Sequence, residues 1–231
     1  MVKCSSFILL DLLAMFTFLL DLFFPRISLT GVEGTIITDE ERRTMHGVPL
    51  RFQKELLRKR GMHFLDGLIA GSDYKHTPLL RKAIWSLKYK GKKDLHHDLS
   101  ALMIRALAQF LHVKGSPPVL CPIPLHWSRR FSRGYNQAEL LAKDISMQLG
   151  WPMKPLLARV HATGHQAWRK KKERLTAMQQ AFQCQTNHEV PRSVLLIDDV
   201  CTTGATLDSC AQTLKKAGVK TVIALVVAYD S

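Results

Sequence analysis

The chain has 231 residues, 46% of them hydrophobic, enough for one α/β domain with a substantial core plus an accessory segment. Its 33 Lys and Arg against 19 Asp and Glu give +14, which points to a polyanionic partner, nucleic acid before an acidic membrane surface; a merely well-solvated basic surface is the plainer reading. Five scattered cysteines (Cys4, Cys121, Cys184, Cys201 and Cys210) contain no C-x-x-C pair, which argues against a disulfide framework and a cysteine-rich zinc site and fits reduced cytoplasmic thiols.

The first element is the apolar run Phe7–Phe24, whose 18 residues just meet the length of a membrane span. Asp11 and Asp21 interrupt it, and a central Asp costs about 2.5–3.5 kcal/mol on insertion. With only Lys3 before it and no small-residue cleavage site after it, it does not read as a cleaved signal peptide. We read it as an apolar helix stopped by Pro25 that docks on the protein or a partner, with a membrane-associated helix as the alternative. Residues 26–60 read as a weakly structured connector followed by a basic helix over Glu40–Arg60.

Phe64–Tyr74 is strand-like. The stretch 77–93 is helical, with Leu79, Leu80, Ile84 and Leu87 on one face, and His96–His112 is a second amphipathic helix. The apolar strand at Pro118 runs into a Pro-punctuated turn, a basic loop holding Arg129, Arg130 and Arg133, and a helix over Ala138–Leu149. Residues 157–182 form a polar, basic segment in which Arg169, Lys170, Lys171, Lys172 and Arg174 make the densest cationic cluster in the chain. Trp168 beside it either stacks on a base or anchors the loop. Lys220–Ala228 is a buried strand following a helix, as in a β-α-β unit.

The most informative stretch lies between these last elements. Val194–Ile197 predicts a short buried strand ending in Asp198 and Asp199. Thr202, Thr203, Gly204, Ala205 and Thr206 then open a helix that runs to about Ala217 and is closed by Gly218. Backbone N–H groups at a helix N-terminus, among small and hydroxylated side chains, cradle a phosphate. Two carboxylates beside them can accept hydrogen bonds from a ribose diol at the edge of a parallel sheet. The plainer reading has the acids merely ending a strand and a threonine capping a helix. There is no Gly-Lys-Ser/Thr, so this is not a Walker A loop. Cys201, inside this region, is either a reactive thiol or a small filler.

This order of acid pair, threonine/glycine loop and helix resembles the phosphoribosyl pyrophosphate (PRPP) signature of type I phosphoribosyltransferases, with Cys201 where that family usually carries an aliphatic residue. The resemblance implies an α/β fold with a mostly parallel sheet flanked by helices, here with an N-terminal helical segment. It also implies PRPP with Mg²⁺ as ligand. Asp198 and Asp199 would hold the ribose hydroxyls, residues 202–206 the 5′-phosphate, and Lys88, Arg129, Arg130 and Arg133 the pyrophosphate. Guanidinium forks suit that last task because they pair bidentately with phosphate oxygens.

Four blocks narrow the match. Leu80–Ile84 with Leu87-Lys88-Tyr89 and Gly91 form the first, and Pro122-Ile-Pro124 with Arg130, Arg133, Asn136, Gln137 and Leu140 the second. Arg159, Thr163, Gln166, Arg174 and Ala181-Phe182 form the third, and the acid pair the fourth. Together they are similar to the ComF-type competence proteins, also called GntX-like amidophosphoribosyltransferase homologues, over about residues 64–230. That resemblance implies a role in natural transformation: handling incoming single-stranded DNA in the cytoplasm beside a competence translocase or helicase. ComF proteins usually begin with a four-cysteine zinc ribbon after a Leu-Leu-x-Leu-Phe-Pro stretch. Here Leu20–Pro25 is present but the ribbon cysteines are not, and His46 alone cannot supply four ligands, so no zinc is expected. Ala177 and Gln180 stand where the family tends to have Asn and Gly.

The expected organisation is an N-terminal apolar helix and basic connector over 1–60 and a phosphoribosyltransferase-like domain over 61–231. The leading reading is a PRPP-binding protein of DNA uptake, with residues 168–174 as its nucleic-acid surface. The alternative is an active phosphoribosyltransferase using an unknown acceptor. A third reading is an adaptor held at the inner membrane by residues 7–24.

Overall fold

The computed structural model describes residues 26–111, 115–125, 127–160, 181–185 and 190–230. The apolar run 7–24 and the basic cluster 168–174 lie outside the described residues. Two compact units divide at Thr44/Met45.

The first unit is organised by Glu41 in helix α1 (Asp39–Met45). Its carboxylate accepts from the Thr38 N–H at 2.7 Å and the Ser28 hydroxyl at 2.9 Å, and also from the Thr30 N–H. Thr38 returns the favour by accepting the Glu41 N–H at 3.1 Å, the reciprocal capping box of a Thr-x-x-Glu start. Burial pushes the Glu41 carboxyl upward, but these donors outweigh it and hold the group below its ordinary value.

The continuous helix expected over Glu40–Arg60 is not formed. Gly47 and Pro49 interrupt it, and Leu50–Gln53 becomes strand β1, which buries Phe52. A short helix α2 (Lys54–Lys59) follows. Pro at this point cannot continue a helix, and an aromatic between polar residues suits a half-buried edge strand.

The second unit is a five-stranded sheet in the order β1-β2-β7-β6-β3, where β2 is Gly67–Asp73, β3 Val119–Pro122, β6 Ser193–Cys201 and β7 Thr221–Tyr229. Only the edge pair β1–β2 is antiparallel; β2–β7, β7–β6 and β6–β3 run parallel. Helices α3 (Pro78–Tyr89), α4 (Leu95–Phe110), α5 (Trp127–Arg133), α6 (Gln137–Leu149) and α7 (Ala205–Lys216) complete the layers. A separate antiparallel pair, β4 (Leu157–Arg159) with β5 (Phe182–Cys184), brackets the segment between them.

Alternation along the strands assigns the helices to faces. Val194, Leu196, Val222, Ala224 and Val226 pack with Leu207, Cys210, Ala211 and Leu214 of α7. Helices α4 and α6 pack on one another and on the sheet's other side. Gly71 permits the approach of α4: a Cβ there would stand 2.9 Å from the Val227 carbonyl and 3.4 Å from Leu102. The α4–α6 contact is fixed by Asp144, 3% exposed, which accepts from Gln148 at 2.9 Å and from the Ser100 hydroxyl and sits 3.0 Å from His97 Nδ1.

Asp66 plays a similar part at the base of the sheet. It joins Lys54 of α2 at 2.9 Å, Lys215 of α7 and the Val222 N–H at 2.9 Å. Burial alone would raise its carboxyl, yet these partners lower it.

Asp144→Ala should destabilise the fold by about 1–3 kcal/mol, because it removes the buried carboxylate that Ser100, Gln148 and His97 share between α4 and α6. Urea unfolding with an unchanged m-value and a lower midpoint is the expected readout.

Candidate PRPP site

Strand β6 is longer than the sequence suggested. It does not end at the two acids but continues to Cys201, because β7 keeps pairing with it: Asp198 is level with Val226, Val200 with Ala228 and Cys201 with Tyr229. On the other side β3 stops at Pro122, level with Ile197. The two acids therefore stand inside the strand at the step where one neighbour has ended and the other continues. Such steps at the carboxyl ends of parallel strands are where ligands enter α/β sheets.

Because strand side chains alternate, the acids turn to opposite faces. Asp199 turns toward α3, where Lys88 Nζ lies 2.6 Å from its Oδ1. The carboxylate side chain is 5% exposed, and its Oδ2 has no hydrogen-bond partner among the described residues. Asp198 turns toward the face covered by α7 and the β4–β5 pair. Burial, reinforced by the Asp199 charge, pushes its carboxyl up to about 7, against opposing contributions from the Asp199 N–H, Lys88 and Arg159. The Asp199 N–H donates to Asp198 Oδ1 at 2.8 Å.

The loop after the acids enters the next helix through a glycine. Gly204 takes φ +71°, and a Cβ there would fall 2.0 Å from Met62 Sδ, so position and crowding together require glycine. It is the residue preceding the first turn of α7, whose opening amides have no intrahelical acceptor. Thr202 and Thr203 are exposed, Ala205 and Thr206 half-buried, and Thr203 Oγ1 accepts from the Ala205 N–H at 3.4 Å. Cys201 is 1% exposed, and burial pushes its thiol up to about 12. It is a core filler rather than a reactive thiol.

A cleft of about 410 Å³ adjoins Lys88 and is lined by Tyr89, Gly91, Ser128, Ser132, Arg133 and Tyr135 as well. Its walls come from α3 and α5. The latter is a helix where the sequence reading had a basic loop: residues 127–133 contain neither Gly nor Pro, so nothing in them stops a helical turn. Asn136 anchors the segment, accepting from the Ala138 N–H at 3.1 Å and donating to the Ile123 carbonyl at 3.0 Å. Arg133 lines the cleft and donates to Gln137 Oε1 at 2.6 Å, while Arg130 lies at the surface, 3.7 Å from Glu139. Only the backbone of Arg129 is described.

The structure thus brings Asp198, Asp199, Lys88 and residues 202–206 to one strand end, with Arg133 in the adjoining cleft and Arg130 turned outward. The sequence reading left Arg159 out of the site. It ends β4 with its guanidinium 5.4 Å over the Phe182 ring, and its charge opposes the upward push on Asp198. Its place in the third block, directly before the long basic segment, is the signal that could have found it.

The acid pair and the glycine-started helix lie within residues 136–231, which match the phosphoribosyl transferase domain family. The chain is 33% identical to competence protein F of Haemophilus influenzae over 144 residues, 60% of this chain and 63% of that protein. It is 31% identical to DNA utilization protein YhgH of Salmonella typhi over 163 residues, 67% of this chain and 68% of that protein. Competence protein ComFC of Bacillus subtilis is 30% identical over 147 residues, 64% of this chain and 58% of that protein. The chain belongs to this ComF/YhgH family and carries its type I phosphoribosyltransferase fold. It spans slightly under two thirds of the length of competence protein F.

Asp198 has the sign of a group that favours the fold only while protonated. Its carboxyl sits above the unfolded value of 3.8, so its contribution to stability is complete below about pH 4 and is lost as pH rises toward 7. Asp198→Asn should therefore melt higher than the parent at pH 8 and near it at pH 4. A melting difference that does not vary with pH would contradict this.

Proposed function

We propose that this protein binds PRPP at the end of β6 and serves in the uptake or use of DNA. The observation that carries the reading is Asp199 Oδ2: a buried carboxylate oxygen without a hydrogen-bond partner among the described residues, one residue from a second carboxylate. Leaving a buried acceptor unmade costs about 1–3 kcal/mol, and a ribose hydroxyl is a donor of the right kind to relieve it. The 5′-phosphate would take the first-turn amides of α7 behind Gly204. The pyrophosphate would lie toward Lys88 and Arg133, with Arg129 and Arg130 on the same short helix.

The donor set also fits Mg²⁺, since hard carboxylate and pyrophosphate oxygens are its usual ligands. Bound there, the ion would neutralise the pyrophosphate charge. Lys88 has a second task in this account. It balances the Asp199 carboxylate before ligand arrives, and must share or exchange that partner when pyrophosphate binds.

The biological setting rests on the relatives' names, two of which speak of competence and one of DNA utilization. The excess of 33 basic over 19 acidic residues supports a polyanionic partner. We infer single-stranded DNA as that partner, a translocase or helicase of the uptake machinery as the neighbour, and the cytoplasm as the place. No helix among the described residues is long and apolar enough to cross a membrane. Association of residues 7–24 with the inner membrane belongs to the same proposal.

Catalysis is the second reading, favoured by the cleft beside Lys88, which has room for a leaving pyrophosphate. Transfer would break the ribose C1–oxygen bond to pyrophosphate and form a bond from C1 to an acceptor. The work would be positioning and charge stabilisation rather than proton abstraction.

Calorimetric titration of the full chain with PRPP and Mg²⁺ tests the site. Binding is expected in the parent and lost, by at least tenfold, in Asp199→Asn. Equal affinity in both would overturn it. Pyrophosphate release on screening acceptors would establish the catalytic reading.

A further inference from the structure

Aromatic side chains are normally withdrawn from water, and four here are not. Trp85 is 48% exposed, Tyr89 64%, Trp127 73% and Phe131 88%. Among the described residues these are the exposed aromatic side chains, and all stand on two helices, α3 and α5. The members of each pair are four residues apart, so they share a helix face. The inward face of α3 is already satisfied by Leu80, Ala83, Ile84 and Leu87, so the core gives no reason for the outward rings.

Cations are threaded through the rings. Lys90 Nζ lies 5.3 Å from the Trp85 ring centroid, and Lys93 Nζ lies 5.0 Å from that of Tyr135. The Arg133 guanidinium lies 5.1 Å over Tyr89 and so joins α5 to α3. Trp85 and Tyr89 themselves are 6.1 Å apart and tilted. The cleft lined by Tyr89, Ser128, Ser132 and Arg133 runs between the two helices and reaches Lys88.

The charge is one-sided. Residues 77–93 contain six Lys and Arg and no Asp or Glu, and 118–138 contain no Asp or Glu either. Alternating rings and cations on a surface where Lys and Arg outnumber the acids match a single strand, whose backbone is tracked by charge and whose open bases stack on aromatics. A duplex hides those base faces.

We propose that the outer faces of α3 and α5, with Trp85, Tyr89, Trp127 and Phe131 interleaved by Lys90, Lys93 and Arg133, are a stacking surface for single-stranded nucleic acid. It deepens the DNA-handling half of the proposed function and rests on that half. It puts the strand beside the Lys88 end of the PRPP site rather than relying on residues 168–174 alone.

Fluorescence anisotropy of labelled dT20 against the full chain, with salt varied, tests it. Trp85→Ala and Phe131→Ala are each expected to weaken binding about fivefold or more, with an unchanged salt slope. Lys90→Ala with Lys93→Ala should instead flatten that slope. An abasic strand of the same length should bind the parent more weakly than dT20 and be indifferent to the two aromatic variants. PRPP calorimetry and melting temperature, unchanged in Trp85→Ala and Phe131→Ala, separate lost stacking from lost folding.

Unchanged dT20 affinity in both folded aromatic variants would overturn the surface while leaving DNA handling intact. So would loss of binding to phosphatidylserine vesicles with dT20 affinity retained, which would mark the ridge as a membrane contact. No dT20 binding by the parent would overturn the surface and the DNA-handling reading together, whatever the PRPP titration gives.

Discussion

Two adjacent carboxylates carried inside a parallel sheet are the constraint from which the rest follows. Packing like charges at neighbouring positions of a buried strand is unfavourable, and the structure answers it unequally. Asp199 is matched by Lys88 at 2.6 Å, whereas Asp198 is left where burial and its neighbour push its proton affinity up. An arrangement that a stability optimum would remove, and that coincides with a glycine-started helix and an unmet carboxylate oxygen, reads as a site held ready for a ligand.

The surrounding architecture keeps that strand end in place. Helix α7 presents its first turn because Gly204 reverses the chain against Met62, and Asp66 ties the base of α7 to α2 and β7. Helix α3 brings Lys88 from the opposite face. The β4–β5 pair places Arg159 to act on Asp198 and frames the long basic segment between its strands. Ligand, cleft and aromatic ridge would then lie along one continuous rim running from the end of β6 across α3 to α5.

Much of this was legible in the residues. The β-α-β unit from Val194 to Ala228 declared itself through apolar runs, an acid pair, a Thr-Gly-Ala-Thr loop and Gly218, and both ends of α7 fell within about a residue of expectation. What misled was local. An apolar run followed by two acids looks like a strand end, but β7 supplies pairing partners beyond it, and no sequence pattern displays that neighbour. The basic run 40–60 looked helical by composition, while Gly47 and Pro49 and the pull of an edge position made strand β1. The Lys88–Asp199 contact joins residues 111 positions apart in the chain, and charge alone could not have chosen that partner among so many cations.

The unequal treatment of the two carboxylates is read directly by a carboxyl-carbon NMR titration of Asp198, with and without PRPP and Mg²⁺. An apparent pKa near 7 is expected in the free protein, falling on ligand addition because ribose hydroxyls donate to the charged form. A free-protein value near the ordinary 3.8, or a raised value that PRPP does not move, would contradict it.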